Sequence, residues 1–215
     1  MNDVNNSALA TVNNENKITN IFSDPKAMEF AFNTAVMLSK AQFIPQAYQG
    51  RPENCLIAVD MANRLNTSPM FIMQNLYVVK GKPSWTGAMC KTLVEQCGKY
   101  SNVHHVYFGQ EGTEQRGCML VATRLSDGQV VEGPKVTIGM ARAEGWTSNA
   151  KWRTMPELML AYRANAFFAR VHCPEALLGY KSSDEVEDIH FSTQRQAAPD
   201  PFESVGEDAI YADIQ

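Results

Sequence analysis

The hydrophobic and polar positions of this chain follow two periods, and each period predicts a different type of element. In the first third of the chain, apolar residues recur every three or four positions, which is the spacing of an amphipathic helix. Segments of this kind follow Asp24-Pro25, Pro52-Glu53 and Pro69, and proline is well suited to the first turn of a helix. The pattern therefore predicts helices over 25–40, 52–66 and 69–74.

From residue 76 onward the pattern changes to short runs that are typical of strands. Leu76 to Val79 is β-branched and aromatic and leads into a Gly- and Pro-containing turn, as expected for a strand that ends in a hairpin. Three further runs are predicted to be strands, and a turn with the sequence Ser126-Asp127-Gly128 joins the last two. These three runs cover residues 103–108, 118–125 and 129–132, while helical spacing returns at 86–97 and 137–144.

A long helix is predicted near the end of the periodic region. In Thr154-Met155-Pro156-Glu157, Thr154 and Glu157 are spaced for a reciprocal capping box, with proline in the first turn. The helix is expected to run over about 155–171, because Pro174 follows it. Since no strand–helix–strand unit recurs, we predict an α+β fold with a small antiparallel sheet of about four strands packed with several helices.

The predicted domain organisation consists of one core with two irregular ends. Residues 1–20 are rich in Asn, Ser and Thr and are predicted to be a disordered leader, residues 21–190 a single core domain, and residues 191–215 an acidic flexible tail. Residues 80–181 carry thirteen Lys and Arg against eight Asp and Glu, a net charge of +5, whereas residues 182–215 carry one against nine, a net charge of −8. This asymmetry favours a polyanion-binding body, although an ordinary solvated surface with a solubilising tail has the same composition.

Several classes of protein are not favoured by the sequence. The chain has no apolar run of the roughly 20 residues that a membrane helix requires, and its first residues do not resemble a secretion signal. Five cysteines without such a signal suggest reduced thiols and a cytoplasmic location. Carboxylates are scattered singly and no catalytic motif is present, so neither enzymatic activity nor a metal site is predicted, and a metal-dependent nuclease is the minor alternative.

Basic and aromatic residues instead occur together in three segments. Lys80, Lys82 and Trp85 surround a predicted hairpin turn, where the lysines suit phosphate contacts and the indole suits either base stacking or the core. Lys151, Trp152 and Arg153 form a second group, whose tryptophan has the same two possible roles. On the long helix Arg163 and Arg170 share a face and suit two phosphates, unless they are paired with Glu157 or Glu175.

The segment from Trp152 to Arg170, WRTMPELMLAYRANAFFAR, resembles the RecT/Redβ superfamily of phage single-strand DNA annealing recombinases. Residues 74–84 and 133–146, Gly179-Tyr180 and Asp184-Glu185-Val186 support the resemblance, which covers about residues 45 to 190. It implies a compact α+β domain that holds single-stranded DNA in a basic groove and anneals it to a complementary strand without ATP. Arg163 and Arg170 match groove positions of the family, and Arg124 falls near a basic strand-end position.

The resemblance also implies the partners of the chain. These are single-stranded DNA and the annealed duplex, further copies of the chain in a ring or helical filament, a phage exonuclease and a host single-strand binding protein. No cofactor is required, although Mg²⁺ is expected to influence annealing. A passive single-strand DNA-binding protein is the main alternative within the binding class, and a scaffold protein that does not bind DNA is another.

Overall fold

The computed structural model describes residues 20–79 and 81–188. The chain separates into two compact units, of which the first ends at Met73 and the second begins at Gln74. Each unit is described by itself below. The predicted leader and acidic tail lie outside the described residues, apart from residue 20, and the single core domain over 21–190 stays a prediction.

The first unit is helical, as its apolar spacing predicts. Its helices are α1 (Pro25–Ser39), α2 (Pro52–Arg64) and most of α3 (Pro69–Asn75), which continues into the second unit. The Asp24 carboxylate accepts a hydrogen bond from the backbone N–H of Lys26 at 3.0 Å and caps α1. α1 packs against α2 through small or flexible side chains, which are Ala31, Ala35, Cys55, Ala58, Met61 and Ala62.

The described part of the second unit combines two small sheets with several helices, which confirms the predicted α+β class. Two 3₁₀ turns, Trp146–Ser148 and Pro174–Leu177, flank the consecutive helices Lys151–Thr154 and Pro156–His172. The strands are β1 (Leu76–Val79), β2 (Lys82–Trp85), β3 (Tyr100–Phe108), β4 (Gly117–Arg124), β5 (Val130–Glu132), β6 (Val136–Thr137) and β7 (Lys181–Ser182), and the helices are α4 (Gly87–Gln96), α5 (Ile138–Ala143), α6 (Lys151–Thr154) and α7 (Pro156–His172).

Strands β3 to β6 form a four-stranded antiparallel sheet, as the predicted class requires. Three of them match predicted strands, whereas β6 was not predicted and the first predicted strand, β1, lies in the other sheet. β4 pairs with β3 along most of its length and with β5 and β6 at separate positions on its other side. α7 packs on β4 and α4, and most of the side chains that it buries are apolar, with Arg163 and Asn165 as exceptions. Each large side chain that is fully buried, such as Phe168 or Leu160, contributes about 1.5 to 3 kcal/mol to folding.

The other sheet contains β1, β2 and β7. β1 and β2 form an antiparallel hairpin, and β7 pairs in parallel with β2 although it lies almost one hundred positions later in the chain. Gly81 in the hairpin turn has a φ of +75°, a left-handed conformation that favours glycine. The hairpin is consistent with the turn that the sequence predicts, whereas the parallel strand is not visible in any local pattern.

The predicted capping box at the start of α7 is wrong. Thr154 is the last residue of α6, and its hydroxyl donates to the Ala150 carbonyl at 3.3 Å. Glu157 instead forms an ion pair with Arg116, with Oε2 2.7 Å from the guanidinium. A reciprocal box exists elsewhere, because Ser182 Oγ accepts from the Glu185 N–H at 3.3 Å while Glu185 Oε2 accepts from the Ser182 N–H at 3.0 Å.

Candidate nucleic-acid interface

The two arginines of α7 that the sequence assigns to DNA differ in exposure. Arg163 has only 3% of its surface exposed. Its guanidinium forms an ion pair with the Asp188 carboxylate and stacks 3.9 Å from the centre of the Trp146 ring. A phosphate therefore has no access to Arg163 in this structure, and the role that fits the geometry is an internal ion pair.

Asp188 organises the buried polar groups around Arg163. Its carboxylate also accepts from Trp152 Nε1 at 3.0 Å and from Asn149 Nδ2 at 3.2 Å. Burial raises the pKa of Asp188 and lowers the pKa of Arg163, although the attraction between the two groups opposes both shifts. Removing either partner would leave the other charge buried, which is costly.

Trp152 is held by this hydrogen bond and is itself only 3% exposed. Its ring lies 5.6 Å from that of Trp146. Because neither face is open to solvent, the packing role that the sequence left open for this residue fits the structure, and base stacking does not.

Arg170 is exposed, but it is paired with an acidic residue. Its guanidinium donates to Glu185 Oε2 at 2.7 Å, and Glu185 is almost fully buried. Burial alone would raise the pKa of Glu185, but the hydrogen bonds from Arg170 and from the Ser182 N–H lower it. Glu185 thus stays ionised and caps the helical segment 183–188. Its carboxylate also forms the ion pair that neutralises Arg170.

Lys151 completes a group of cations paired with one acidic segment. Its ammonium lies 3.1 Å from Glu187, so the acidic segment, defined here as residues 184–188, pairs with Lys151, Arg163 and Arg170. Arg124, the predicted strand-end cation, is paired with Asp127 at 2.9 Å. Neither Glu157 nor Glu175 pairs with the arginines of α7, since these acids bind Arg116 and Lys99.

Trp85 likewise belongs to the core. It is 0% exposed, its Nε1 donates to the Leu177 carbonyl at 2.9 Å, and Tyr180 packs edge-on against it. The core role fits Trp85 for the same reason as Trp152: a buried ring with a satisfied N–H cannot stack on a base without unfolding its surroundings.

Two of the remaining predicted cations are exposed and lack an acidic partner. Among the described residues, no carboxylate lies within ion-pair distance of Lys82 or Arg153. Lys80 lies outside the described residues. The structure does not bring Lys82 and Arg153 onto one element, since the first lies on β2 and the second on α6.

Lys82 instead lies on the same face of its sheet as two exposed residues that the sequence interpretation missed, with the buried Ser84 between them. Tyr77 on β1 is in register with Ser84 on β2, and Ser84 is in register with Lys181 on β7, so the three side chains point to the same face of the sheet. Lys82 lies two residues before Ser84 and joins them on that face. We refer to Tyr77, Lys82 and Lys181 as the Tyr77 face.

The Tyr77 face has the groups that single-stranded nucleic acid requires. Tyr77 is 50% exposed, and both lysines are exposed without an acidic partner among the described residues. From ordinary strand spacing and rise, the Cβ atoms of Lys82 and Lys181 lie about 8 Å apart. An aromatic ring with lysines beside it can stack on a base while the ammonium groups contact the flanking phosphates.

Local sequence could have suggested Tyr77 as a residue of this face, but it could not have suggested Lys181. Leu76 is buried and Tyr77 is exposed, as expected for successive residues of a strand, although Val78 is exposed too. Lys181 could not be assigned, because its place beside β2 depends on a parallel pairing across the whole second unit.

The described residues contain no cluster of three or more His, Cys, Asp or Glu side chains arranged to hold a metal ion. None of their helices has the length and apolar character needed to cross a bilayer.

Comparisons with protein families, with characterised proteins and with solved structures found no match to this chain.

Proposed function

We propose that this protein binds single-stranded DNA and anneals complementary strands without making or breaking a covalent bond. The proposal follows the resemblance of Trp152 to Arg170 to phage annealing recombinases. It differs from what the resemblance implies in where the DNA binds, because the α7 arginines are paired with the acidic segment.

The observation that carries the proposal is the Tyr77 face. Tyr77 is exposed on β1, and the two lysines, on β2 and β7, have no acidic partner among the described residues. In the proposal the tyrosine stacks on a base and the lysines contact phosphates without reading base identity, which suits a protein that must bind any sequence. The excess of basic residues over 80–181 adds long-range attraction for a polyanion. Arg153, which is exposed and has no acidic partner among the described residues, is a second contact in the proposal.

Annealing requires no chemical group from the protein in this proposal. Base pairing supplies the free energy, while the protein screens phosphate repulsion and holds bases accessible. The activity is therefore expected without ATP, with Mg²⁺ acting only on phosphate repulsion.

Oligomerisation is also part of the proposal, and the first unit offers a surface for it. Phe30 and Met37 are 74% and 66% exposed and lie seven residues apart on one face of α1, and Phe43 beyond the helix is 90% exposed. Large exposed apolar side chains are typical of protein–protein interfaces. Light scattering of the wild type and of Phe30→Ser/Met37→Ser tests this part, and an equal mass for both proteins contradicts it.

The experiment that tests the main proposal measures the annealing rate of two dye-labelled complementary oligonucleotides at several salt concentrations, without ATP and with or without Mg²⁺. We expect acceleration that weakens with salt. A Tyr77→Ala/Lys82→Ala/Lys181→Ala variant should lose most of it, whereas Arg142→Ala, which removes an exposed arginine paired with Glu114, should not. Binding with slower annealing would identify a passive single-strand binding protein, cleavage would identify a nuclease, and no binding would leave a scaffold.

A further inference from the structure

Two cysteines lie side by side where α4 and α7 end. Cys97 directly follows the last residue of α4 and Cys173 directly follows the last residue of α7, and these helices pack against each other. The segments that contain the cysteines are connected at two points. Tyr100 Oη donates to the His172 carbonyl at 3.2 Å, and Lys99 forms an ion pair with Glu175.

The environments of the two thiols differ. Cys173 is completely buried, whereas Cys97 is partly exposed, with its thiol donating to the Val94 carbonyl at 3.1 Å. Burial, and after it the charge and hydrogen bonding of the neighbouring Cys97 thiol, raise the pKa of Cys173 to about 12. For Cys55, Cys90 and Cys118, burial and nearby charged groups raise the pKa of the thiol and no cysteine contributes, whereas the Cys97 thiol contributes to the raised pKa of Cys173.

We propose that Cys97 and Cys173 form a dithiol that a low-molecular-weight disulfide oxidises to an intramolecular disulfide. Cys97, the exposed member, attacks one sulfur of the reagent as a thiolate, the S–S bond of the reagent breaks, and one thiol leaves with a proton. Cys173 then loses its proton and attacks the Cys97 sulfur, which releases the second reagent thiol. The protein loses two electrons and two protons, and the reagent becomes two thiols.

The bond would join the C-terminal ends of two core helices that are far apart in sequence. A cross-link between Cys97 and Cys173 closes a long loop and constrains the unfolded chain, so it raises stability. In a reducing compartment the dithiol form persists, and the disulfide forms during oxidative challenge. The inference does not depend on the proposed DNA-binding function.

The test treats the folded full-length protein with oxidised glutathione, blocks the remaining thiols with iodoacetamide, and maps the peptides by mass spectrometry without reduction. We expect a linked Cys97–Cys173 peptide with a mass loss of about 2 Da, a higher unfolding temperature than the reduced protein, and faster formation at higher pH. In the Cys173→Ser variant, oxidation should stop at the glutathione adduct of Cys97. The matched control variant, Cys90→Ser, should still form the Cys97–Cys173 link.

A second measurement keeps the inference testable if a serine variant does not fold. Dibromobimane becomes fluorescent when it bridges two neighbouring thiols, and we expect it to bridge Cys97 and Cys173 in the native wild-type protein. Recovery of Cys97 only as its glutathione adduct, or of Cys97 linked to a different cysteine, would overturn the proposal. Bridging by dibromobimane at another pair of thiols would also overturn it.

Discussion

The Tyr77 face and the acidic segment with its basic partners contain the same types of residue in opposite physical states. Lys82 and Lys181 are exposed and have no carboxylate partner among the described residues, whereas Arg163 is buried against Asp188 and Arg170 is occupied by Glu185. Tyr77 presents half of its surface, while Trp152 presents almost none. Basic and aromatic composition is therefore not sufficient to locate a nucleic-acid interface, because pairing and burial decide which cations remain available.

The largest expected effect tests whether Arg163 is structural. Arg163→Ala should lower the free energy of unfolding by about 3 to 5 kcal/mol, because it leaves Asp188 buried without its counter-charge. Urea denaturation followed by circular dichroism measures this change. Arg163→Met/Asp188→Leu, which removes both charges, should recover much of the loss. If Arg163→Ala kept its stability and lost DNA affinity, Arg163 would be a DNA contact, and α7 rather than the Tyr77 face would be the interface.

The next effect concerns Tyr77 and Trp85, two aromatic residues of the sheet formed by β1, β2 and β7. Tyr77→Ala should weaken binding of single-stranded DNA by about 1 to 3 kcal/mol, or about 5- to 150-fold, because one stacking surface is lost. Its stability should change little, since the ring is half exposed. Fluorescence anisotropy with a labelled oligonucleotide measures the affinity.

Trp85→Phe is the matched variant for Tyr77→Ala. It removes the hydrogen bond to Leu177 and should cost about 1 to 2 kcal/mol of stability, while the folded protein keeps its DNA affinity. An equal loss of affinity in the two variants would contradict the distinction between an exposed and a core aromatic.

A smaller effect sharpens the distinction between free and paired cations. Lys82→Ala and Lys181→Ala should each reduce the slope of log affinity against log salt by about 0.7, because each removes one contact to a single-stranded phosphate. Arg142→Ala should leave the slope unchanged, since Glu114 already neutralises that arginine. A slope that changes for Arg142→Ala but not for the lysine variants would place the interface elsewhere.

The smallest effect concerns a polar contact between β3 and α7. His105 Nε2 lies 2.7 Å from Asn165 Oδ1, and burial lowers the pKa of His105 from its ordinary value of 6.5, against the opposing influence of that hydrogen bond. The unfolded chain binds this proton more readily, so the contribution of neutral His105 is present above about pH 6.5 and is lost as the pH falls below it. Unfolding temperatures at pH 7.5 and 5.5 should therefore differ less in His105→Gln than in the wild type; an equal difference in both would exclude His105 as the source.

Local sequence was a good guide to the elements of this fold. Asp24 caps α1 as its position before Pro25 suggests, and Thr86, which was predicted to lie within a helix, caps α4, because a cap needs only side chains a few residues away. At the start of α7, local spacing did not predict the contacts correctly. Thr154 and Glu157 have the spacing of a capping box, but α6 uses the threonine hydroxyl and Arg116, forty-one positions earlier, takes the carboxylate.

By itself, the sequence determined the α+β class, the longer helices and strands, and the basic character of residues 80–181, since these depend on local periodicity and on charge. The short strands β2, β6 and β7 and the helix α6 were not predicted. Only the tertiary structure decided which cations are neutralised, because the partners of Lys151, Arg163 and Arg170 lie 15 to 36 positions away. It also decided that Trp85 packs inside and that Lys181 joins Tyr77 and Lys82. Ion pairs and burial depend on distances in space, and residues far apart in the chain come together only when the core assembles.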